Sequence, residues 1–242
     1  VQTCALPILH SIRQWDVISA NRVDHFIANS QHTARRIWKC YRRSAEVIYP
    51  PVNLDRFSLH PQKEDFYLTV ARYVSYKKIP LIVEAFNQLK LPLVVIGHGP
   101  EFPLVKALAQ PHITILGAQP DAVVEDYMRR AKALVYAACE DFGITLVEAQ
   151  ACGTPVIAYG RGGAAETVRD VRQWGDRSTG LWFMAQTVES LVHAVQCFEA
   201  LPQQTFNPLE IHQWAKEFSP QMFHKRYQEA IVKQVEIHLG SL

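Results

Sequence analysis

Two glutamates eight positions apart bracket the most chemically suggestive stretch of the chain, Cys139-Glu140-Asp141-Phe142-Gly143-Ile144-Thr145-Leu146-Val147-Glu148. The apolar run Ala133-Leu134-Val135-Tyr136-Ala137 before it has strand character, and Leu146, Val147 and Ala151 follow Gly143 at helical spacing. Gly153 suits the left-handed residue that ends a helix, and Pro155 follows as a stop. The stretch therefore reads as a strand, a loop and a helix start. A helix start presents unpaired N–H groups and the positive end of the helix dipole, which suits a phosphate. The N–H groups of Phe142, Gly143, Ile144 and Thr145 are the candidates, and Gly143 lets the backbone come close. Glu140 stands in the loop, and Glu148 lies about one and a half turns along the helix. Neither would sit on a phosphate, because like charges repel. Carboxylates beside such a site serve better as acceptors for sugar hydroxyls. A phosphate with two sets of hydroxyls describes a sugar nucleotide.

Arg72 and Lys77 stand five positions apart at the end of another apolar run. Two such cations can clamp a diphosphate and neutralise it as it departs. Solvated surface cations are the commoner case, so their position at a strand end carries the argument. Glu140 and Glu148 do not suit hydrolysis, which needs two carboxyls facing across one bond. Gly160-Arg161-Gly162-Gly163-Ala164-Ala165 fits G-x-G-x-x-A, but it does not follow the first strand, and the next strand ends without an acidic residue. It reads as a tight turn near the phosphate site. In Gly97-His98-Gly99-Pro100 the proline removes an N–H, so Gly97 is assigned to backbone room for the ligand. None of the ten histidines stands near another at metal-ligand spacing, and no nucleophile elbow is present.

The elements that must position these residues alternate along the chain. Strands are predicted at 66–71, 93–97, 113–116, 134–137, 156–159 and 181–183. Helices are predicted at 80–90, 102–109, 120–131, from Gly143, and at 164–171 and 188–200. Six short apolar strands with intervening helices give an α/β, Rossmann-like parallel sheet covered on both faces. Such a sheet binds ligands at the carboxyl ends of its strands, where Arg72, Gly97, Glu140 and Gly160 fall. Before this block lie a helix over 10–21, a strand over 23–28, a helix over 31–41 and a strand over 46–49. The helix over 31–41 carries Arg35, Arg36 and Lys39, followed by Arg42 and Arg43. A membrane-surface or anionic-acceptor patch is one reading of them. The preferred one is a solvated face with aromatics packed inward. Asn207-Pro208 and Ser219-Pro220 start two further helices, the second running to about Leu239.

Composition narrows the class. The chain has 242 residues, of which 48% are hydrophobic and 20% charged, and a net charge of +2. These are values of a soluble globular protein without a bulk field that demands nucleic acid. Five widely spaced cysteines without C-x-x-C indicate neither a disulfide framework nor a zinc site, and a reducing cytoplasm is the simplest reading. No apolar run approaches the roughly 18–20 residues needed to span a bilayer. A start at Val1 hints at a fragment.

The run Glu140-x7-Glu148 with Phe142-Gly143 resembles the E-x7-E signature of retaining glycosyltransferases of family 4, which have the GT-B fold. Two more stretches resemble the same family in the same order: Val47-Ile48-Tyr49-Pro50-Pro51-Val52-Asn53-Leu54-Asp55-Arg56-Phe57 and Ala71-Arg72-Tyr73-Val74-Ser75-Tyr76-Lys77-Lys78. The wording is most similar to mannosyltransferases of O-antigen-type assembly. The resemblance covers essentially the whole chain, but only the second half of such an enzyme. It implies closing elements of an acceptor domain and a linker at 1–60, a nucleotide-sugar-binding domain at 61–205, and helices at 206–242 crossing back toward the first domain. It also implies that Arg72 and Lys77 hold the diphosphate, that Glu140 faces the transferred sugar, that Glu148 holds the ribose, and that Gln119 lies beside the base. Lys78 stands where the family often has glycine. The implied donor is a nucleoside-diphosphate sugar, GDP-mannose by resemblance, with no bound metal or other cofactor. The implied acceptor is a glycan or polyprenyl-linked glycan, reached in the cytoplasm at the inner face of the cell membrane. A sugar-nucleotide 2-epimerase of similar fold and a non-catalytic binding fragment remain as alternatives.

Overall fold

The computed structural model describes residues 2–240, which divide into two compact units: residues 2–49 with 223–240, and residues 50–222. The first unit holds helix α1 (Gln2–Ala20), strand β1 (Phe26–Ala28), helix α2 (Gln31–Tyr41) and strand β2 (Ala45–Val47), with β1 and β2 parallel. Helix α1 begins eight residues before the predicted start at residue 10, because Ala5 and Leu6 favour helix. Pro7 lies inside this helix, past its first turn, where its missing N–H removes one bond of the ladder. Strands β1 and β2 pair over only three residues each, so β1 is shorter than the predicted 23–28. Helix α2 has its expected bounds. Ser30 caps it by accepting the Thr33 N–H at 3.0 Å, and Arg42 ends it in the left-handed conformation. Its aromatics do not all pack inward. Tyr41 stacks on Phe26 with ring centroids 5.8 Å apart, but Trp38 is 55% exposed.

The second unit is the sheet. Its strands are β3 (Tyr67–Val70), β4 (Leu93–Ile96), β5 (Ile113–Gly117), β6 (Ala133–Tyr136), β7 (Val156–Tyr159) and β8 (Gly180–Phe183). Every neighbouring pair is parallel, and the order is β5-β4-β3-β6-β7-β8. Helices α3 (Ile79–Leu89), α4 (Phe102–Leu108), α5 (Asp121–Arg130) and α6 (Ile144–Ala151) follow β3 to β6 in turn, and α9 (Val188–Ala200) follows β8. Tyr67, Leu93, Val95, Val135, Ile157 and Phe183 form one face of the sheet, and they cluster with Ile82, Val83 and Phe86 of α3 and Leu191 and Val195 of α9. Leu68, Leu134 and Val156 alternate with these residues along their strands and are equally buried. The strands are thus apolar on both faces, as a covered parallel sheet requires.

The predicted helix over 164–171 is broken into α7 (Ala164–Thr167) and α8 (Val171–Trp174). Val168 is extended between them, and the fully buried Asp170 restarts the chain. Its carboxylate accepts the N–H groups of Arg172 and Trp182 at 2.8 and 2.7 Å. Arg172 also pairs with it, and these contacts hold its pKa below the usual carboxylate value despite burial. Helix α10 (Pro208–Ala215) packs on α6, where the His212 Nδ1 donates to the Ala151 carbonyl at 2.6 Å. Helix α11 (Pro220–Leu239) follows, and its residues from Phe223 onward belong to the first unit.

Pro61-Gln62-Lys63-Glu64 is predicted to mark a domain boundary, yet the compact units divide between Tyr49 and Pro50. Lys63 is the physical reason. Its Nζ donates to the carbonyls of Arg129 and Cys152 at 2.8 and 3.0 Å and to the Thr154 hydroxyl at 2.8 Å. These bonds fasten the turn to the ends of α5 and α6. Lys63→Met leaves acceptors unpaired in a desolvated setting and should cost about 2 kcal/mol. Urea unfolding of the chain measures this, and an unchanged midpoint would remove Lys63 from the scaffold.

Candidate active site

In the sheet order β3 lies beside β6, so the chain runs outward in opposite directions from that pair. Loops leaving two such strands on opposite faces open a crevice at their carboxyl ends. The loop after β3 is pinned from below. Tyr73 is fully buried and stacks on Phe102 at 6.0 Å, while its N–H donates to the His98 carbonyl at 3.1 Å. Gly97 has a φ of 137°, and a Cβ there would come within 1.8 Å of the Ala71 carbonyl oxygen. The room assigned to a ligand at Gly97 is therefore taken by the chain's own β3 loop.

Arg72 projects from this loop as an exposed side chain and makes no hydrogen bond or ion pair among the described residues. Lys77 behaves differently. Residues Ser75–Lys77 form a single 3-10 turn, and Lys78 leaves it at a φ of 58°, the conformation that glycine adopts freely. That turn delivers the Lys77 Nζ to the Glu140 Oε1, and to the Tyr136 hydroxyl at 3.0 Å. The two charged side chains are 15% and 20% exposed. Burial pushes the Lys77 pKa below its ordinary value. Arg72 and Lys77 are thus not the matched pair of free cations that their spacing suggests, since only Arg72 is uncommitted.

Glu140 is held on its other oxygen by the Tyr136 hydroxyl, which donates to Oε2. Its loop rests on the glycines after β7. The Gly163 N–H donates to the Glu140 carbonyl at 2.7 Å, and a Cβ on Gly163 would lie 2.1 Å from the Phe142 carbonyl oxygen. The G-x-G-x-x-A run is thereby committed to supporting the Glu140–Phe142 loop. Phe142 is buried edge-on against Phe218 at 5.5 Å. Gly143 then turns the chain into α6 with a φ of 86°, and no side chain caps that helix. Ile144 is exposed and Thr145 half-buried beside it, so the start of α6 is open to an anion.

Glu148 is half-buried on α6 and makes no hydrogen bond or ion pair among the described residues. Burial pushes its pKa up, and the nearby positive charge of Arg56 opposes that shift. Arg56 is itself paired with Glu125 and Asp121 at 2.6 and 2.8 Å. The Gln119 side chain turns back on its own loop, with Nε2 donating to the Leu116 carbonyl at 2.7 Å. Tyr136 and Arg56 are the participants that sequence reasoning missed as site residues. A tyrosine ending an apolar strand was the available signal for the first, and Arg56 lay inside a recognised stretch.

A cavity of about 840 Å³ lies elsewhere, lined by residues such as Asp65, Lys132 and Pro155, which precede strands, together with Phe198, Glu199 and Phe206. Lys132 there is paired with Asp65 and Glu199. It sits at the amino ends of the strands, the opposite edge from the crevice. No group of three or more potential metal ligands occurs among the described residues. Cys40, Cys139, Cys152 and Cys197 are free, and the side chain of Cys4 lies outside the described residues. No helix among the described residues is long and apolar enough to cross a membrane.

The Glu148 environment has a testable consequence. A carboxyl whose folded pKa is raised stabilises the fold least once it ionises, so its contribution falls as pH rises above the ordinary carboxylate value. Glu148→Gln should therefore keep or raise the unfolding midpoint at pH 7, and the advantage should shrink at pH 4. A lower midpoint at pH 7 would mean that the carboxylate is paired in the folded chain.

Comparison with known proteins agrees with the fold. The chain is 27% identical over 246 residues to the N-acetyl-alpha-D-glucosaminyl L-malate synthase of Bacillus anthracis, covering 95% of this chain and 60% of that protein. It is 28% identical over 192 residues to the D-inositol 3-phosphate glycosyltransferase of Mycolicibacterium smegmatis, covering 68% and 43%. The chain thus spans about half the length of these curated relatives. Among solved structures, a sucrose-phosphate synthase from Thermosynechococcus elongatus superposes with a TM-score of 0.74 at 22% identity, covering 89% of this chain and 59% of that one. An Anabaena protein solved with UDP and glucose gives 0.74 at 20% identity, covering 91% and 66%. Residues 53–208, more than half of the chain, match the model of the glycosyl transferases group 1. This chain belongs to the group 1 glycosyl transferase family.

Proposed function

We propose that the chain is the donor-binding half of a retaining, metal-independent glycosyltransferase that moves a hexose from a nucleoside diphosphate to a glycan or lipid-linked acceptor. One observation carries the reading: Lys77 and Glu140 meet at the β3–β6 crevice, next to the uncapped start of α6. The diphosphate rests on the N–H groups at Gly143, Ile144 and Thr145, with Arg72 and Lys77 supplying positive charge. Glu140 accepts a sugar hydroxyl, and Glu148 accepts the ribose hydroxyls. As the bond from the anomeric carbon to the diphosphate breaks, negative charge grows on the leaving oxygens, and the cations and helix start stabilise it. The acceptor oxygen bonds to the same carbon from the same face, and its proton leaves with the diphosphate. Retention, metal independence and the acceptor class follow from the family resemblance.

The same resemblance makes GDP-mannose the first donor candidate. The Anabaena neighbours solved with UDP and with UDP-glucose favour a uridine donor as the second. The acceptor is held by a further domain, and contact with the inner membrane face would use the arginine-rich α2 surface with exposed Trp38. Isothermal titration of the chain with GDP, GDP-mannose, UDP and UDP-glucose tests the reading, and a folded chain that binds none of them defeats it. In the full-length protein, Lys77→Ala should cost about 2–4 kcal/mol of transition-state stabilisation, measured as kcat/KM. An unchanged value removes Lys77 from the reaction. Product analysis without acceptor distinguishes a 2-epimerase, which needs none.

A further inference from the structure

We propose that Tyr136 is a positioning residue for the donor sugar: its hydroxyl anchors one oxygen of Glu140 so that the other is presented to a hydroxyl of the hexose. The inference rests on the donor-site reading above and deepens it.

Tyr136 is the last residue of β6, and it is 3% exposed. Its hydroxyl is a relay between two charges, accepting from the Lys77 Nζ at 3.0 Å and donating to the Glu140 Oε2. Burial pushes its pKa up, so the phenol keeps its proton at neutral pH and can donate. The Lys77 ammonium also lies 5.4 Å from the Tyr136 ring and 5.3 Å from the Tyr76 ring.

Each oxygen of Glu140 therefore has one partner, Lys77 on Oε1 and Tyr136 on Oε2. The two partners differ in what a donor does to them. An incoming diphosphate carries more negative charge than a carboxylate and draws the Lys77 ammonium toward itself. That frees Oε1. The phenol is neutral and rigidly placed by its strand, so it stays on Oε2. Without the Tyr136 hydroxyl, Glu140 would lose its remaining anchor at the moment its free oxygen is needed for the sugar. The relay thus separates the site into a nucleotide part, served by Lys77, and a sugar part, served by Glu140 through Tyr136.

Tyr136→Phe removes only the hydroxyl and keeps the buried ring. Isothermal titration compares GDP with GDP-mannose, and UDP with UDP-glucose, on the wild-type and variant chains. The variant should bind the nucleoside diphosphate within about twofold of wild type, and the matching nucleotide sugar about tenfold more weakly, the loss of one charge-assisted hydrogen bond. Equal losses for both ligands, or no loss for either, overturn the assignment. The double variant with Glu140→Gln should bind the sugar nucleotide no worse than Glu140→Gln alone, since the hydroxyl acts through that carboxylate. Additive losses overturn it as well. A wild-type chain that binds neither ligand overturns the donor-site reading together with this inference. Selective binding by wild type with an indifferent Tyr136→Phe overturns the inference alone.

Discussion

A charged pair drawn out of water sits where two neighbouring strands of the sheet end, and the rest of the second unit is arranged to make it affordable. Lys77 and Glu140 are both four-fifths or more buried. Isolated, either charge would be costly in that position. Together, with the Tyr136 hydroxyl bonded to both, each is compensated. Such a pair is a weak source of stability but a strong constraint on geometry, because removing any member strands the others. It also means that the pair itself carries no net charge, and that Arg72 beside it makes no ion pair among the described residues.

Holding the pair in register requires stiff loops, and the sequence supplies stiffness through close backbone packing. Gly97 gives way to the Ala71 carbonyl beneath the Arg72 loop, and Gly163 gives way to Phe142 beneath the Glu140 loop. Phe142 is braced in turn by Phe218, which packs edge-on against Trp214 at 5.2 Å. Glycines that look in sequence like ligand-binding loops are therefore spent on supporting the loops that bear the charged groups. Gly143 is the exception, because its left-handed turn leaves the start of α6 open.

Much of this was legible from local pattern. Each strand of the sheet is a mostly apolar run of four to five residues, and β7 and α9 have their predicted bounds because proline, glycine or a capping threonine marks their ends. The errors have identifiable physical causes as well. Asp170 breaks the helix predicted over 164–171, since a buried carboxylate caps a new turn instead of continuing the old one. Lys63 looked like part of a polar linker, yet its ammonium finds three acceptors supplied by residues up to 91 positions away. Trp38 was assigned to a packed face and is exposed. For Lys63 the deciding partners lay far along the chain, where periodicity carries no information.

By itself the sequence determined the alternation of strands and helices, the residues that fall at strand ends, and the glycine that opens α6. Period and capping chemistry act over a few residues, so one chain segment suffices to read them. Only the tertiary structure decided that β3 lies against β6, that Lys77 meets Glu140 across 63 residues of chain, and that Tyr136 stands between them. Strand neighbours are fixed by the sum of all the crossover connections and by burial on both faces of the sheet. No single stretch of sequence contains that sum.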